Sequence, residues 1–404
     1  MTAVARARDA SPLRLGIVTR EFPLLSETFV IDQALAQERH GFRIDLIADR
    51  VHDDDPLALA NPDVARLVAS ATHRRWRRFG PVVAAARPLP GRVRRIIEAC
   101  ADIEADGRLG AYDILLGHFG DIGMRLARSR ALGRFHAPFA TIFHGNDVAL
   151  SMRNGTLGRF RQLFREADLL LPVSGFFREV LVGAGAAPSR TIVHRTGVDC
   201  ASVPFEPVRD RSGQLIFTTA CRFVEKKGIE FAIRAVRELA SGRPDLDWRY
   251  EIVGDGPLRS NLETLTRQLG LEQRVIFLGA LPHAGVKERL ARAHAFLLPS
   301  VTAANGDMEG IPVALMEAMA AGLPVVSSFH SGIPELVQHE ATGLLAAERD
   351  VAGLAACLAW VADHPEGCLR MAEHARAFVE AHFDQAKLND RLADMLRRAA
   401  TGAP

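Results

Sequence analysis

The sequence is poor in cysteine, in net charge and in long apolar runs. Its five cysteines, Cys100, Cys200, Cys221, Cys357 and Cys368, are odd in number, widely spaced and form no Cys-x-x-Cys pair. That pattern excludes a disulfide scaffold and predicts unpaired thiols in a reducing compartment. Met1 to Arg14 carries no secretory pattern, so the expected location is cytoplasmic. No stretch approaches eighteen uninterrupted apolar residues, which argues against a transmembrane helix. The formal net charge of +2 over 404 residues is too small to point to nucleic acid, and no nucleic-acid partner is expected. What the chain does hold is apolar content, 48%, enough for real cores in two domains of about 150 to 200 residues.

One stretch organises the rest: Asp307-Met-Glu-Gly-Ile-Pro-Val-Ala-Leu-Met-Glu317, then Ala318-Met-Ala-Ala-Gly-Leu-Pro-Val-Val326. It reads as loop, helix and buried strand. Gly310 loosens the entry, Pro312 suits a first helical position, and the helix is expected to start near Ile311. A helix start presents unpaired N–H groups and a positive dipole end, which suits a phosphate. Glu309 lies just before it, and Glu317 lies about 7.5 Å along the axis from Pro312. One extended ligand can touch both carboxylates, with sugar hydroxyls at one end, a diphosphate in the middle and a ribose diol at the other. The plain alternative is an amphipathic helix with solvated acids.

Several strand ends carry polar loops, the places where open α/β sheets bind ligands. Asp113-Ile-Leu-Leu-Gly-His-Phe-Gly120 and Pro138-Phe-Ala-Thr-Ile-Phe-His-Gly-Asn-Asp147 put His118 and His144 at similar positions after their strands, where both can face a cleft. Leu215-Ile-Phe-Thr-Thr-Ala220 leads into Cys221-Arg-Phe-Val-Glu-Lys-Lys-Gly228, whose Arg222 and Lys227 can neutralise a diphosphate leaving group without a metal. Ser26, Glu27 and Thr28 open a helix and are read either as its cap or as ligand contacts. Asp53, Asp54 and Asp55 admit a metal reading, but acids before Pro56 more often form a solvated turn. Gly254-x-Gly256 lacks the third glycine of a dinucleotide fingerprint.

The Glu-x7-Glu spacing, with Gly-Ile-Pro after the first acid and Glu-Ala-Met-Ala-x-Gly-x-Pro-Val around the second, resembles the donor-site signature of retaining GT-B glycosyltransferases of family four. Phe-Pro-x-x-Ser-Glu-Thr-Phe at 22–29, Phe-His-Gly-x-Asp at 143–147, Gly-Val-Asp at 197–199 and Val-Gly-Asp-Gly-Pro-Leu at 253–258 are similar to family segments, the first to the exopolysaccharide branch. Two departures stand out. The family's paired-glycine loop near residue 22 is absent, and Cys221 replaces the first glycine of Gly-Arg-x-x-x-x-Lys-Gly.

The resemblance implies an α/β chain of GT-B class, two Rossmann-like domains facing an interdomain cleft. The acceptor domain is expected over 13–205, the nucleotide-sugar domain over 206–380, and a helix at 381–404 packing back on the first domain. It implies catalytic roles for His144, Glu309, Arg222 and Lys227. Donor contacts are expected from Arg222, Lys227, Gly254, Gly279, Glu309, Gly310, Ile311, Pro312, Val313 and Glu317, with Gly254 and Gly279 near the base. Ser26, Glu27, Thr28 and His118 would stand on the acceptor side. The implied substrates are a nucleoside diphosphate sugar and a glycan or lipid-linked oligosaccharide, transferred with retention and with no metal or other cofactor. A basic, aromatic segment containing Arg74, Arg75, Trp76, Arg77 and Arg78 suits an anionic membrane at the inner face of the plasma membrane, or simply a solvated helix face. An epimerase or hydrolase of the same fold, a glycoside hydrolase and a membrane scaffold remain alternatives.

Overall fold

The computed structural model describes residues 11–24, 27–54, 59, 61–73, 106–207 and 213–402. Ser26, Asp55 and the segment Arg74 to Arg78 lie outside the described residues. Two six-stranded sheets organise the chain. The first contains β1 Arg14–Phe22, β2 Arg43–Val51, β3 Thr72–His73, β4 Ile114–His118, β5 Phe139–Phe143 and β6 Leu169–Pro172, in the order β3-β2-β1-β4-β5-β6. The second contains β7 Leu215–Ala220, β8 Trp248–Val253, β9 Val275–Gly279, β10 Ala295–Leu298, β11 Val325–Ser328 and β12 Leu344–Ala346, in the order β12-β11-β10-β7-β8-β9.

Read from its own first strand, each sheet has the same order, 3-2-1-4-5-6, with parallel neighbours throughout. This is the doubly wound Rossmann arrangement, so the fold is two Rossmann-like domains of GT-B class. The sequence periodicity explains the burial. β4 and β5 are buried along their whole length, as near-continuous apolar runs in a sheet covered on both faces must be. Each sheet reverses its strand order once, between β1 and β4 and between β7 and β10. The loops leaving those strands are therefore the natural ligand-binding positions.

The chain crosses between the domains twice. Near Val198 the crossings meet: the Val198 N–H donates to the Phe383 carbonyl at 2.9 Å, and the Gln385 N–H donates to the Val198 carbonyl at 2.9 Å. The helix Gln385–Thr401 then lies on the first domain, where Leu392, Ala393 and Leu396 join its core. Its Asp384 cap accepts the Lys387 N–H. The last helix thus couples the first domain to the end of the second.

Candidate active site

The helix Val313–Ala320 begins one residue later than the sequence implied a first turn, and two later than Ile311. Pro312 is its cap residue, with φ −65° and ψ 123°. Proline's fixed φ fits both a cap and a first helical position, and here the extended ψ decides for the cap. The Leu315 N–H donates to the Pro312 carbonyl at 3.1 Å, a tight first turn that leaves the earlier amides without helical partners. Ile311 sends its side chain into the second domain's core and Val313 is exposed, so these residues offer backbone rather than side chain to a ligand.

Beside this helix start, Lys227 Nζ lies 2.8 Å from Glu309 Oε1, and Glu309 is 7% exposed. Gly228 makes the approach feasible. Its φ is +65°, and a Cβ there would fall 1.9 Å from the Pro299 carbonyl oxygen, so only glycine lets the loop after β7 press against the end of β10. Burial favours neutral forms of both groups, but their mutual attraction wins. The Glu309 carboxyl is held below its ordinary range by Lys227 and Lys226 against that burial, and the Lys227 ammonium is held above its own. Lys226 pairs with Asp307 at 3.2 Å. Arg222 is exposed at the same loop, and no carboxylate among the described residues lies within ion-pair distance of it. Burial pushes the Cys221 thiol up to about 12, so it adds no charge beside Lys227.

Gly254 and Gly279 close the floor. The Gly254 N–H donates to the Gly279 carbonyl at 2.8 Å, and a Cβ on Gly254, at φ +131°, would fall 1.9 Å from the Cys221 carbonyl oxygen. Gly254 is therefore a close-packing position whose amide is already engaged. Glu317, four residues into its helix, is partly buried, and burial raises its carboxyl while His283 and Lys287 act in the opposite sense. His283 Nδ1 lies 4.0 Å away. Glu317 lines a cavity of about 360 Å³ together with Val203, Pro204, Val286, Lys287 and Ala321.

The first domain faces this site through His144. A Cβ on Gly310 would stand 2.9 Å from Val173 Cγ2 and 3.6 Å from the His144 carbonyl oxygen, so the two domains touch at the loop before the helix Val313–Ala320. The His144 ring is packed at 4.3 Å from Phe29 and 4.7 Å from Phe119, centroid to centroid. His118 differs from expectation. It is fully buried and stacked on His144, interplanar angle 9°, with Nδ1 of one ring 3.1 Å from Nε2 of the other. β4 ends with this side chain buried, so His118 packs against the His144 ring rather than standing open at the strand end. Burial lowers His118 to about 3 and His194 to about 4, and it holds His144 well below its ordinary value, assisted by the other two rings. Asp147, quoted only as part of a motif, is structural. It accepts the N–H groups of Gly120 at 2.7 Å and of Gly145 and Val148 at 3.1 Å, tying the loops after β4 and β5 together.

Glu27 occupies the cap position of the helix Thr28–Arg39 without a side-chain cap bond, and Thr28 is exposed. Burial raises the Glu27 carboxyl, with Glu21 adding to it. His52 pairs with Glu21 at 2.8 Å, while Asp53 and Asp54 stand exposed in a turn. Among the described residues no three acid, histidine or cysteine side chains gather as a metal-binding group. The sequence reading missed Glu335. It accepts the N–H groups of Gly175 and Phe176 across the cleft and pairs with Arg195 at 2.7 Å. Its partners lie 140 to 160 positions away, so no local spacing signals it.

Comparison with known proteins shows the family. The model of Glycosyltransferase Family 4 matches residues 26–202, and that of Glycosyl transferases group 1 matches residues 205–378. AmsK of Erwinia amylovora, an amylovoran biosynthesis glycosyltransferase, is 34% identical over 96% of this chain and its own full length. The chain belongs to this glycosyltransferase family. WcaL of Escherichia coli (strain K12), whose name places it in colanic acid biosynthesis, is 37% identical over 95% of this chain and 100% of its own. The Anabaena protein HepE, solved with UDP and glucose, shares the fold with a TM-score of 0.71 at 18% identity, covering 95% of this chain and 99% of its own. In this glycosyltransferase Lys227 and Glu309 pair in the second domain, and the His144 backbone of the first domain approaches Gly310, the residue after Glu309.

Proposed function

We propose that the protein transfers a sugar from a nucleoside diphosphate sugar to a hydroxyl of a glycan or lipid-linked oligosaccharide, in surface or exopolysaccharide synthesis, with retention and without a metal ion. The observation that carries the reading is the buried Lys227–Glu309 pair beside the start of the helix Val313–Ala320. Arg222, Lys227 and the amides near Gly310 and Val313 take the diphosphate, Glu317 the ribose diol, and Glu309 hydroxyls of the transferred sugar, which His144 meets from the other domain. The bond from the anomeric carbon to the β-phosphate oxygen breaks as the acceptor oxygen bonds the same face. The acceptor proton passes to that leaving oxygen. Two cations beside a helix start supply the charge that a metal would otherwise bring. The names WcaL and AmsK support an exopolysaccharide acceptor, and the UDP and glucose held by HepE support a nucleotide sugar donor.

Among the described residues no cysteine forms a disulfide, which fits a cytoplasmic setting. No helix among the described residues is long and apolar enough to cross a membrane. Arg74 to Arg78, with Trp76, have the composition to meet anionic lipid that carries the acceptor. The test is a thermal-shift and turnover screen against uridine and guanosine diphosphate sugars, with Arg222→Ala and Glu317→Ala beside wild type and chelator present. A donor at a hundred times its dissociation constant adds about 2.7 kcal/mol. One donor class should stabilise wild type alone and turn over in chelator. Inversion of the anomeric centre, or a trapped sugar–enzyme bond, would overturn the same-face mechanism.

A further inference from the structure

Glu309 lies toward the end of the loop that runs from β10 to the helix Val313–Ala320, and a single carboxylate from another loop grips the start of that loop directly and the Glu309 amide through His330. Glu348 Oε2 accepts the Thr302 N–H at 2.8 Å, near the start of the loop. Its Oε1 lies 2.6 Å from His330 Nδ1, and His330 Nε2 accepts the Glu309 N–H at 3.1 Å, at the end of the loop. These contacts fix the imidazole's tautomer. Nε2 receives a backbone proton and must be bare, so the ring proton is on Nδ1 and points at Glu348. His330 is 1% exposed, and no water is needed to complete either bond. The adjacent Ser331 hydroxyl donates to the Glu309 carbonyl at 2.7 Å, so consecutive residues hold the two sides of one peptide position.

The groups around the ring agree with that arrangement. Glu348 faces Nδ1, with Arg349 beside it at 3.4 Å, and the Glu309 carboxylate is turned to Lys227. The Glu348 carboxyl is buried enough to resist ionisation, yet the His330 and Thr302 hydrogen bonds hold it below its ordinary range. We propose that His330 and Glu348 form a positioning dyad that aims the Glu309 carboxylate at the transferred sugar. The inference rests on the donor-site reading above and assigns it two residues that touch no substrate. A carboxylate that must meet particular hydroxyls loses much of its value when its backbone drifts by a fraction of an ångström. The dyad should therefore matter for the sugar part of the donor and little for the nucleotide part.

Two variants of the full chain separate positioning from bulk structure. His330→Ala removes the acceptor of the Glu309 N–H. His330→Gln places a carbonyl oxygen near the Nε2 position, so it can still accept that N–H. Hydrogen exchange at the Glu309 amide should rise about tenfold in His330→Ala and stay within about threefold of wild type in His330→Gln. Unchanged exchange in His330→Ala would overturn the clamp. Calorimetry then compares UDP-glucose, UDP-galactose and GDP-mannose with UDP and GDP. His330→Ala should weaken the bound sugar nucleotide about tenfold and its bare nucleotide less than about twofold, with most of the loss restored by glutamine. Equal losses on both ligands would show a merely structural residue. Nucleotide binding without any gain from a sugar in wild type would refute the assignment to the sugar, while binding of no nucleotide at all would refute the donor reading itself.

Discussion

Lys227 and Glu309 lie 2.8 Å apart with most of both side chains buried, although 82 positions separate them in sequence. Removing one charge leaves the other buried without its counter-ion. Lys227→Met should therefore destabilise the protein by about 3 to 5 kcal/mol. The double variant with Glu309→Gln should lose clearly less than the sum of the two single changes. Urea denaturation measures both. The pair also sets a pH dependence. Glu309 is depressed below its ordinary 4.5, so its contribution is complete above that pH and is lost as pH falls through the depressed value. Lys227 is raised above 10.5, so its contribution is lost only as pH rises beyond that value. Strictly additive single and double variants would mean that the contact carries no coupling.

The buried histidines act in a different window. His118 titrates at about 3 and His194 at about 4 in the folded chain, against an ordinary 6.5. Below 6.5 the unfolded chain binds protons that the folded chain refuses, so stability falls as pH falls and levels off only beneath those folded values. Each such ring withdraws up to about 1.4 kcal/mol per pH unit. Denaturation midpoints measured between pH 7 and 4.5 should drop steeply in wild type and less in His118→Asn, which cannot titrate. Parallel curves for the two proteins would remove His118 from the account.

The elements were legible where period and composition act locally. The apolar runs at β4, β5 and β10 gave buried parallel strands, and Lys227 meets Glu309 because their motifs specify a strand end and a helix start. What escaped the sequence was long-range pairing. His118 looked equivalent to His144 because both follow a strand, but only the packed sheet shows that one ring lies behind the other. Glu335, His330 and Glu348 carried no spacing signal, since each acts on the backbone of a distant segment. Pro312 shows the finer limit, because its φ is the same in a cap and in a first turn.

The Glu335 contact predicts how the domains are held. Its carboxylate sits at the start of the helix Gly175–Gly183, where two N–H groups and the dipole favour a negative charge, and Arg195 completes the site. Glu335→Ala should free those amides and cost about 1 to 2 kcal/mol. Hydrogen exchange at Gly175 and Phe176 should quicken, and small-angle scattering should show a larger radius of gyration. A variant with wild-type exchange at both amides would rule out a bridging role.

Glu317 gives the most direct test of how the nucleotide lies. The wild type should bind UDP or GDP more tightly than the corresponding 2′,3′-dideoxy nucleotide, because a carboxylate accepts both ribose hydroxyls. Glu317→Ala should bind the natural nucleotide about 10- to 100-fold more weakly, as expected for lost hydrogen bonds to a charged group, and should no longer distinguish the two. Burial raises the Glu317 carboxyl above its ordinary 4.5, so the charged acceptor is lost earlier on acidification than for a solvated glutamate. The preference for ribose should accordingly fade as pH falls toward that raised value, while the diphosphate contacts proposed for Arg222 and Lys227 should persist. Calorimetric titrations in a series of steps from pH 7.5 downward read both effects. If the alanine variant still prefers ribose, Glu317 is not the residue that holds the diol, and the cavity beside it must be assigned anew.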